Sequence, residues 1–486
     1  MKRYIGFVLL FSTFLAACGE PLESPIASPP PPSYNVLLIT LDTLRADYLG
    51  GYGRAGAGTP VIDQLSREGV TCTQAITSSP LTTPSHSTMM TGLHPREHRV
   101  IRNGMHLPRE VITLAELLST GGYHTCAISN ISAGDPAGNG LSQGFETYLE
   151  TIRLHETVGI SVETGNTQAT GIEPTPTHVA ASASKMSYYI LGAEQISQRG
   201  IGWLEEHQHA PFFMWLHYFE PHQPYAPSQR YFDMFAREIN PRRRFYLTED
   251  FLRIHAEKIL LDRLEVEYVK RLYAGEVAYT DYAVGLVLET LRRLGLMKNT
   301  LVVVTADHGE VMYEKDHYFG HAGVVHEGVL QVPLLLRLPG VLPEGVLVSR
   351  QVRLLDLTPT VLDILGYQAP QRMRGESRRD ILTGGVPPRG EEDDVPVFTD
   401  TGEELISIRL NGWKAVADQR GKIRDLYDLT SDPAETHNLT TRERSMVRKL
   451  TSRIRAWRND MEEIKEQALM VNEEEMAQLR ELGYIN

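Results

Sequence analysis

The sequence predicts an α/β fold: a mostly parallel central sheet flanked by helices, with a smaller C-terminal α+β subdomain. Three apolar runs, residues 35–41, 211–216 and 300–305, are typical of strands buried on both faces. A helix predicted over Glu276–Leu294 leads straight into the third run, which is half of a βαβ unit, so the sheet should be largely parallel. After residue 396 the pattern changes to short strands at hairpin spacing, which predicts the subdomain.

Length and composition limit the classes of function. The chain has 486 residues, 42% of them apolar, and can bury a large core. It carries 48 Lys and Arg against 61 Asp and Glu, a formal net charge of -13. This charge argues against nucleic acid as a partner and repels anionic substrates in general. A site for an anion must therefore be locally electropositive, as a bound metal ion would make it.

The amino terminus is predicted to be a targeting segment. Residues 1–17 are predicted to be a lipoprotein signal peptide, since the apolar segment Ile5–Phe14 is too short to span a bilayer and small residues lead into Cys18. The pattern resembles a bacterial lipoprotein signal with a lipid on Cys18; the alternative is an ordinary secretory signal with a chance cysteine. The resemblance implies a lipid-anchored protein of the bacterial cell envelope, on its periplasmic or outer face. Residues 18–34 are proline-rich and predict an extended tether.

The main domain is predicted over residues 35–385. Its first buried strand, Asn35–Leu41, ends in the carboxylate of Asp42. A short helix over Pro60–Glu68 and a strand over Thr71–Thr77 are expected to follow.

Residues 78–92 predict a loop that turns into a helix. Pro84 suits a first helical turn and Gly92 suits a helix end. The free N–H groups at the start of such a helix favour an anion and would stabilise an oxyanion on Thr82 or Ser85. The competing interpretation of Thr82 is an ordinary helix cap.

The middle of the domain carries a polar insertion and another strand end. Residues 150–180 are aperiodic and predict a surface insertion, a helix is expected over about 185–206, and residues 228–265 are predicted to be helical and charged. The second apolar run is followed by a loop that carries His217 and His222.

The strand over residues 300–305 ends almost at once in Asp307 and His308. In a parallel sheet this carboxyl edge is where ligands bind. An acid and an imidazole buried side by side are costly unless something cationic lies between them, so we interpret the pair as half of a metal site. For this short stretch alone a surface turn is the simpler interpretation, but Asp42 at another strand end favours the metal site.

The chain then completes the main domain and enters the subdomain, predicted over residues 396–486. A polar loop with His321 and His326 precedes a strand over Val332–Leu338 and a helix over Leu354–Leu365, and residues 384–395 are predicted to be a linker. The subdomain elements are expected at Val397–Thr399, Leu405–Leu410, Lys414–Ala417, Asp425–Leu429 and a helix from 440 to about 465.

Two cysteines remain if Cys18 carries a lipid. Cys72 and Cys126 both lie in strand-like runs, and an oxidising compartment would permit a bridge between them. We favour two buried free thiols over a disulfide.

Four motifs carry a family resemblance. In chain order they are Asn35–Asp42 with Thr43-Leu44-Arg45-Ala46-Asp47, Thr82-Thr83-Pro84-Ser85-His86 through Thr91-Gly92, the run around Pro221-His222, and Thr305–Glu310 followed by His326-Glu327. With these residues the chain resembles the sulfatase family of the alkaline-phosphatase superfamily, over roughly residues 35–440. The resemblance implies an alkaline-phosphatase-like fold, a divalent metal ion and chemistry on anionic esters.

The chain also departs from the family pattern. Sulfatases carry a cysteine or serine, converted to formylglycine, at the position of Thr82, and an arginine at that of His86. Threonine cannot become formylglycine by that route. The family's second aspartate, next to Asp42, is Thr43, and its basic residue after the Asp-His pair is His321, one place off the usual lysine. With these departures, the residues of this chain resemble the single-metal sites of other members of the superfamily. Those members are the phosphoglycerol and phosphoethanolamine transferases and the threonine-dependent phosphodiesterases.

The resemblance implies one divalent metal ion held by Asp42, Thr82, Asp307 and His308. Three oxygens and one nitrogen are acceptable to zinc or manganese, with calcium as a further option. Coordination would lower the pKa of the Thr82 hydroxyl, the expected nucleophile.

The remaining histidines receive supporting roles. His222 or His321 is expected to protonate the leaving oxygen, and His86 and His326 are expected to bind the charged substrate oxygens. The alternative for each is a satisfied polar contact within a loop. His217 is expected to be structural.

These residues together predict a metal-dependent hydrolase or transferase that acts on anionic esters through Thr82. Phosphodiesters or other phosphoesters are favoured, because a threonine ester lacks the carbonyl re-formation by which formylglycine expels sulfate. The alternatives are a sulfuric ester hydrolase and a lipid-anchored binding protein with an inactive fold. The expected partners are an anionic ester, borne by a lipid head group or a glycan, and a membrane reached through the lipid anchor, with no nucleic acid.

Overall fold

The computed structural model describes residues 34–129, 131, 139–150, 152–156, 179–181, 186–245, 248–314, 319–385, 395–402 and 404–461. The predicted signal peptide with Cys18, and the tether up to residue 33, lie outside the described residues. The same holds for most of the predicted insertion, for the linker at 386–394 and for the tail after 461. The domain boundaries therefore stay a prediction.

The strands follow in chain order. They are β1 Asn35–Leu41, β2 Val70–Cys72, β3 Ala75–Ile76, β4 His124–Ser129, β5 Thr147–Glu150, β6 Ile152–Glu156, β7 Val179–Ala181, β8 Met186–Ile190, β9 Phe212–Tyr218, β10 Thr300–Thr305, β11 Val311–Met312, β12 Phe319–Gly320, β13 Gln331–Val332, β14 Leu334–Arg337, β15 Val346–Val348, β16 Val352–Arg353, β17 Val397–Asp400, β18 Leu405–Leu410, β19 Trp413–Asp418 and β20 Ile423–Asp428.

The helices lie between and around these strands. They are α1 Pro60–Glu68, α2 Thr82–Thr91, α3 Pro95–His98, α4 Leu114–Thr120, α5 Ala193–His207, α6 Gln229–Phe235, α7 Thr248–Ala256, α8 Arg263–Arg293, α9 Glu327–Leu330, α10 Leu357–Ile364, α11 Arg379–Leu382 and α12 Arg444–Asp460, with 3-10 turns at Ala46–Tyr48, Gly50–Tyr52, Leu296–Asn299 and Leu354–Asp356. Among the described residues, none of these helices is long and apolar enough to cross a bilayer.

The central sheet has eight strands in the order β15-β2-β14-β10-β1-β9-β4-β5. Only the two pairings of β14 are antiparallel, and the other neighbours run parallel. Every residue of β1, β9 and β10 is buried, as expected for strands covered on both faces. The predicted α/β class with a mostly parallel sheet is confirmed.

The register of the three central strands brings their carboxyl ends level. Thr40 of β1 pairs with Thr305 of β10 on one side and with His217 of β9 on the other. The residues that follow these three positions therefore emerge side by side at one edge of the sheet.

Some predicted elements differ in extent. The helix expected from Glu276 is the end of a 31-residue helix, α8, which begins after Asp262 because that side chain caps the N–H groups of Leu264 and Glu265. The helix expected from about 185 begins at Ala193, since Met186–Ile190 is a strand paired with β6 and β7. The stretch expected to be helical over 228–265 contains α6, α7 and the start of α8, separated by turns.

The C-terminal sheet β17-β18-β19-β20 is antiparallel, and α12 packs on it through Leu450, Ile454 and Trp457. Strand β17 also reaches the main domain, where Thr399 Oγ1 donates to the carbonyl of Thr77 at 2.7 Å. The small sheet thus holds the loop that leads into α2.

The two described cysteines are free and buried, as favoured. Cys72 lies on β2 and Cys126 on β4, and four strands of the sheet separate them. At about 4.8 Å per strand the sulfurs are far outside bonding distance.

Candidate active site and metal centre

The ends of β1 and β10 bring two carboxylates and an imidazole together. Asp42, Asp307 and His308 each offer a ligand atom, and these atoms all lie within 4.8 Å of one another. All three side chains are fully buried. The sequence prediction that two separate strand ends converge therefore agrees with the arrangement of these residues.

The hydrogen bonds of His308 test whether a cation fits. Its Nδ1 lies 3.0 Å from the carbonyl of Gly309. Since a carbonyl only accepts, Nδ1 carries the proton, and burial lowers the pKa of His308 to about 3, so Nε2 keeps a lone pair. That lone pair lies 3.4 Å from Asp307 Oδ2.

Asp307 completes the test. Its Oδ1 accepts hydrogen bonds from the backbone N–H groups of Thr43 at 3.2 Å and His308 at 2.9 Å. Its Oδ2 accepts none from the described residues. Two buried electron-pair donors thus face each other with no proton between them, which is costly unless a cation lies there. Burial raises the pKa of Asp307, and a bound cation would favour its ionised form.

Thr82 is the first residue of α2, and its Oγ1 lies 3.5 Å from His308 Nε2. The predicted helix end is also present, because Gly92 has φ 64° and its N–H bonds the carbonyl of Thr88. Ser85, the other hydroxyl considered, donates to the carbonyl of Asp307 at 2.7 Å. Of the two hydroxyls, Thr82 therefore faces the candidate metal ligands.

His222 and His321 lie together beside the cluster. His222 Nδ1 donates to the carbonyl of Gln223 at 2.6 Å, and His321 Nδ1 donates to that of Pro80 at 2.8 Å. Their Nε2 atoms face each other at 3.3 Å, and the His321 ring lies 4.2 Å from the ring of His308, centroid to centroid. Burial, followed by the neighbouring His321, lowers the pKa of His222 to about 3.

His86 is buried with both ring nitrogens engaged by the protein. Its Nδ1 donates to the carbonyl of Thr82 at 2.8 Å, and its Nε2 lies 3.2 Å from Thr40 Oγ1. This geometry favours the polar-contact alternative for His86 over substrate binding.

One ring nitrogen of His326 accepts a hydrogen bond, and the other lies close to a carboxylate. Its Nδ1 accepts from the N–H of Gly328 at 3.2 Å, which caps α9, and its Nε2 lies 3.1 Å from Glu435 of the C-terminal region. The polar-contact alternative is favoured here too.

Thr40 and Trp215 were missed by sequence reasoning, and His217 was predicted to be structural only. Thr40 Oγ1 accepts from Trp215 Nε1 and contacts His217 Nδ1, both at 2.9 Å. His217 Nε2 in turn lies 3.6 Å from Asp42 Oδ2. The parallel pairing of Thr40 with His217 is the signal that identifies this cluster, and it exists only once the strand order is known.

Arg45 belongs to the motif that follows β1. Its guanidinium donates to the carbonyl of Glu310 at 2.9 Å and pairs with Glu314 at 2.8 Å. The loop after β1 is thereby fixed to the loop after β10, which keeps the two ligand-bearing strand ends in place.

Comparison with known proteins adds independent information. A family profile described as Sulfatase matches residues 34–367, and one described as N-sulphoglucosamine sulphohydrolase, C-terminal, matches residues 316–460. A protein named Sulfatase from Formosa agariphila is 26% identical over 432 residues, which cover 83% of this chain and 82% of that protein.

Two solved structures share the fold. One, determined in complex with its substrate D-glucosamine-2-N,6-O-disulfate, has a TM-score of 0.68 at 18% identity and covers 90% of this chain and 100% of that one. The phosphonate monoester hydrolase of Agrobacterium radiobacter has a TM-score of 0.66 at 23% identity, covering 88% and 96%. At these identities the likeness shows the fold alone.

Proposed function

The chain belongs to the sulfatase family and is a hydrolase of that family, and from this premise we propose that it cleaves phosphodiesters or other phosphoesters with Thr82 as an unmodified nucleophile. The observation that carries the proposal is the Thr82 hydroxyl at the start of α2, 3.5 Å from the unprotonated Nε2 of His308. Family membership argues against the alternative of an inactive binding protein.

Sulfatase-family enzymes use a divalent metal ion, and Asp42, Thr82, Asp307 and His308 would hold it here. The mixed oxygen and nitrogen set suits zinc or manganese, with calcium as a further option. When bound, the ion supplies positive charge that lowers the pKa of an alcohol and offsets charge on the substrate oxygens.

The side chains of this protein then perform the transfer. Thr82 first loses its hydroxyl proton to solvent, and its Oγ1 then attacks phosphorus. The bond from phosphorus to the leaving oxygen breaks, and the leaving oxygen takes a proton from the pair of His222 and His321. The charge of a bound anion offsets the burial of these rings and favours a proton between their facing Nε2 atoms. Water or an acceptor alcohol then attacks phosphorus, returns one proton to the pair and releases Thr82.

Hydrolysis of sulfuric esters is the second candidate. It is supported by the family profile and by the solved relative whose substrate is a disulfated glucosamine. The chemistry of Thr82 argues against it. Formylglycine expels sulfate by re-forming its carbonyl group, and a sulfate ester of threonine has no such route.

The proposal extends to the place of action. Cys18 would carry the lipid of an envelope lipoprotein, and the substrate would be an anionic ester on a glycan or a lipid head group. The support is the sequence pattern around Cys18 and, for the glycan, the sulfated sugar of the solved relative. Metabolic labelling with a fatty acid, lost in Cys18→Ser, tests the anchor.

The reaction is tested by comparing bis(4-nitrophenyl) phosphate with 4-nitrophenyl sulfate. We expect faster release of nitrophenol from the phosphodiester, a loss of more than about a thousandfold in Thr82→Ala, and retained activity in the matched variant Thr82→Ser. Chelation should abolish turnover, and Asp307→Asn should lower the bound metal measured by elemental analysis. Turnover of the sulfate ester alone, or full activity of Thr82→Ala, would contradict the proposal.

A further inference from the structure

Helix α12 carries most of an exposed basic surface in a chain whose net charge is -13. Its apolar side packs into the C-terminal sheet through Leu450, Ile454 and Trp457. One flank of the helix carries Arg444, Arg448, Arg455 and Arg458, all exposed. At about 100° per residue, the first three of these project within about 40° of one another and extend over about 16 Å.

The turn between β19 and β20 adds to this flank. Gly421, at the tip, lies against Ile454 and Arg455, since a Cβ built on it would meet Ile454 Cγ2 at 3.4 Å and Arg455 Cγ at 4.0 Å. The residues on either side of it, Arg420 and Lys422, are exposed. The turn therefore lies beside the arginines of α12, and we name the six side chains the basic track: Arg420, Lys422, Arg444, Arg448, Arg455 and Arg458.

Few carboxylates neutralise the basic track. Among the described residues, no carboxylate lies within ion-pair distance of its six side chains. Asp418 lies in the same turn, where it accepts the backbone N–H groups of Arg420 and Lys422 at 3.0 Å each. Among the described residues, these six basic side chains and Asp418 sum to a net charge of about +5, opposite in sign to that of the whole chain.

We propose that the basic track binds an extended polyanion, a polymer bearing sulfate or phosphate esters. It would thus bind a polymeric substrate at a second site, separate from the catalytic centre. The choice of this anion class rests on the proposed function. A row of exposed guanidinium groups pairs with successive anionic groups, and each contact releases a counterion that had condensed on the polymer.

The arrangement of the basic track in a row favours an extended chain as its occupant. Arg444, Arg448 and Arg455 follow one another along the axis of α12, and the turn that carries Arg420 and Lys422 lies beside Arg455. The arginines lie on the flank next to the β19–β20 turn, where a chain can follow them along the helix.

Binding is tested with the full-length protein, dextran sulfate and polyphosphate, with uncharged dextran and with vesicles of phosphatidylglycerol in phosphatidylcholine as comparisons. We expect binding to at least one polyanion, none to dextran, and an affinity that falls steeply with salt. Arg448→Gln with Arg455→Gln should weaken binding on the order of tenfold and lower the slope of log affinity against log salt by about two. The matched pair Lys449→Gln with Arg453→Gln, on the other flank of α12, should change the affinity by less than about twofold.

Three results would contradict the proposal that the basic track binds a polyanion. They are no polyanion binding by the wild type, equal losses of affinity in the two double variants, or binding to vesicles in place of the polymers. Turnover of bis(4-nitrophenyl) phosphate separates this proposal from the proposed function, since both double variants should retain it. If the wild type hydrolyses the small ester but binds no polymer, only the proposal of polyanion binding is contradicted. A wild type that binds polymers and hydrolyses no ester contradicts the proposed function alone.

Discussion

Thr40 carries a buried hydroxyl that three side chains next to the candidate metal ligands contact. The carbonyl of Thr82 only accepts, so His86 Nδ1 donates to it and His86 Nε2 accepts from Thr40 Oγ1. Thr40 in turn accepts from Trp215 and from His217, whose Nε2 then faces Asp42 Oδ2 at 3.6 Å. One hydroxyl thus links the start of α2, which carries the expected nucleophile, to the strand that carries Asp42.

Replacing Thr40 by valine keeps the shape of the residue and removes this link. We expect kcat for the phosphodiester to fall by about tenfold to a hundredfold, with metal affinity reduced and KM little changed, because Thr82 and Asp42 lose their fixed relative position. Steady-state kinetics and a metal titration measure the effect.

Thr125→Val is the matched control for Thr40→Val. Thr125 is a buried threonine of β4 that donates to Gly144 at 2.7 Å and accepts from Glu146 at 2.9 Å, on an outer part of the sheet. It should cost stability without changing kcat. Equal kinetic losses in the two variants would show that any buried hydroxyl of the sheet has this effect.

At the scale of elements, α2 is held by contacts to β1 and to α3. Its first turn is tied to β1 through His86, and its middle is tied to α3, where Thr88 Oγ1 contacts His98 Nε2 at 3.0 Å. His98 Nδ1 accepts from the N–H of Val100 at 3.2 Å, so His98 Nε2 carries the proton and donates to Thr88. A protonated His98 would lose the Val100 bond.

This arrangement predicts a dependence of stability on pH. Burial, followed by the nearby His94, lowers the pKa of His98 to about 3, whereas the unfolded value is about 6.5. Between these values the unfolded chain binds more protons, so the stabilisation is present above about pH 6.5 and is lost as the pH falls toward 3. The free energy of unfolding of the wild type should fall from pH 7 to pH 5. In His98→Gln this decrease should be smaller by about 2 kcal/mol.

Urea unfolding at the two pH values measures this difference. His437→Gln, at an exposed histidine, is the control and should keep the pH dependence of the wild type. An unchanged pH dependence in His98→Gln would show that His98 does not titrate differently in the two states.

At the scale of the whole molecule, a network of buried charged side chains connects the C-terminal sheet to the main domain. Lys414 of β19 is fully buried, with Nζ 2.8 Å from Glu435 and 3.0 Å from Glu327. Arg409 of β18 also pairs with Glu327 at 2.7 Å. Glu327 begins α9, so the network joins the small sheet to the segment that precedes β13 and β14.

Removing the lysine charge should uncouple the two parts of the molecule. Lys414→Met leaves two buried carboxylates with less compensation, and we expect a loss of about 3 kcal/mol in the free energy of unfolding. Lys449→Met, at an exposed lysine of α12, should change the stability by less than about 0.5 kcal/mol. Denaturant unfolding compares them, and equal values would contradict a coupling role for the network.

The sequence by itself determined the central strands, the acids that follow them and the helix that ends at Gly92. These features are local, since unbroken apolar runs such as Asn35–Leu41 bury on both faces wherever they lie, and Gly92 ends a helix by its own positive φ. The family motifs are local for the same reason.

Only the tertiary structure decided which side chains meet. That His86 and His326 are engaged by Thr40 and Glu435, that Thr40 joins β1 to β9, and that Met186–Ile190 is a strand all depend on pairing between distant segments. A histidine in a loop has the same local pattern whether a substrate or a carbonyl lies against it, because the partner is chosen by the packing of the whole chain and not by neighbouring residues.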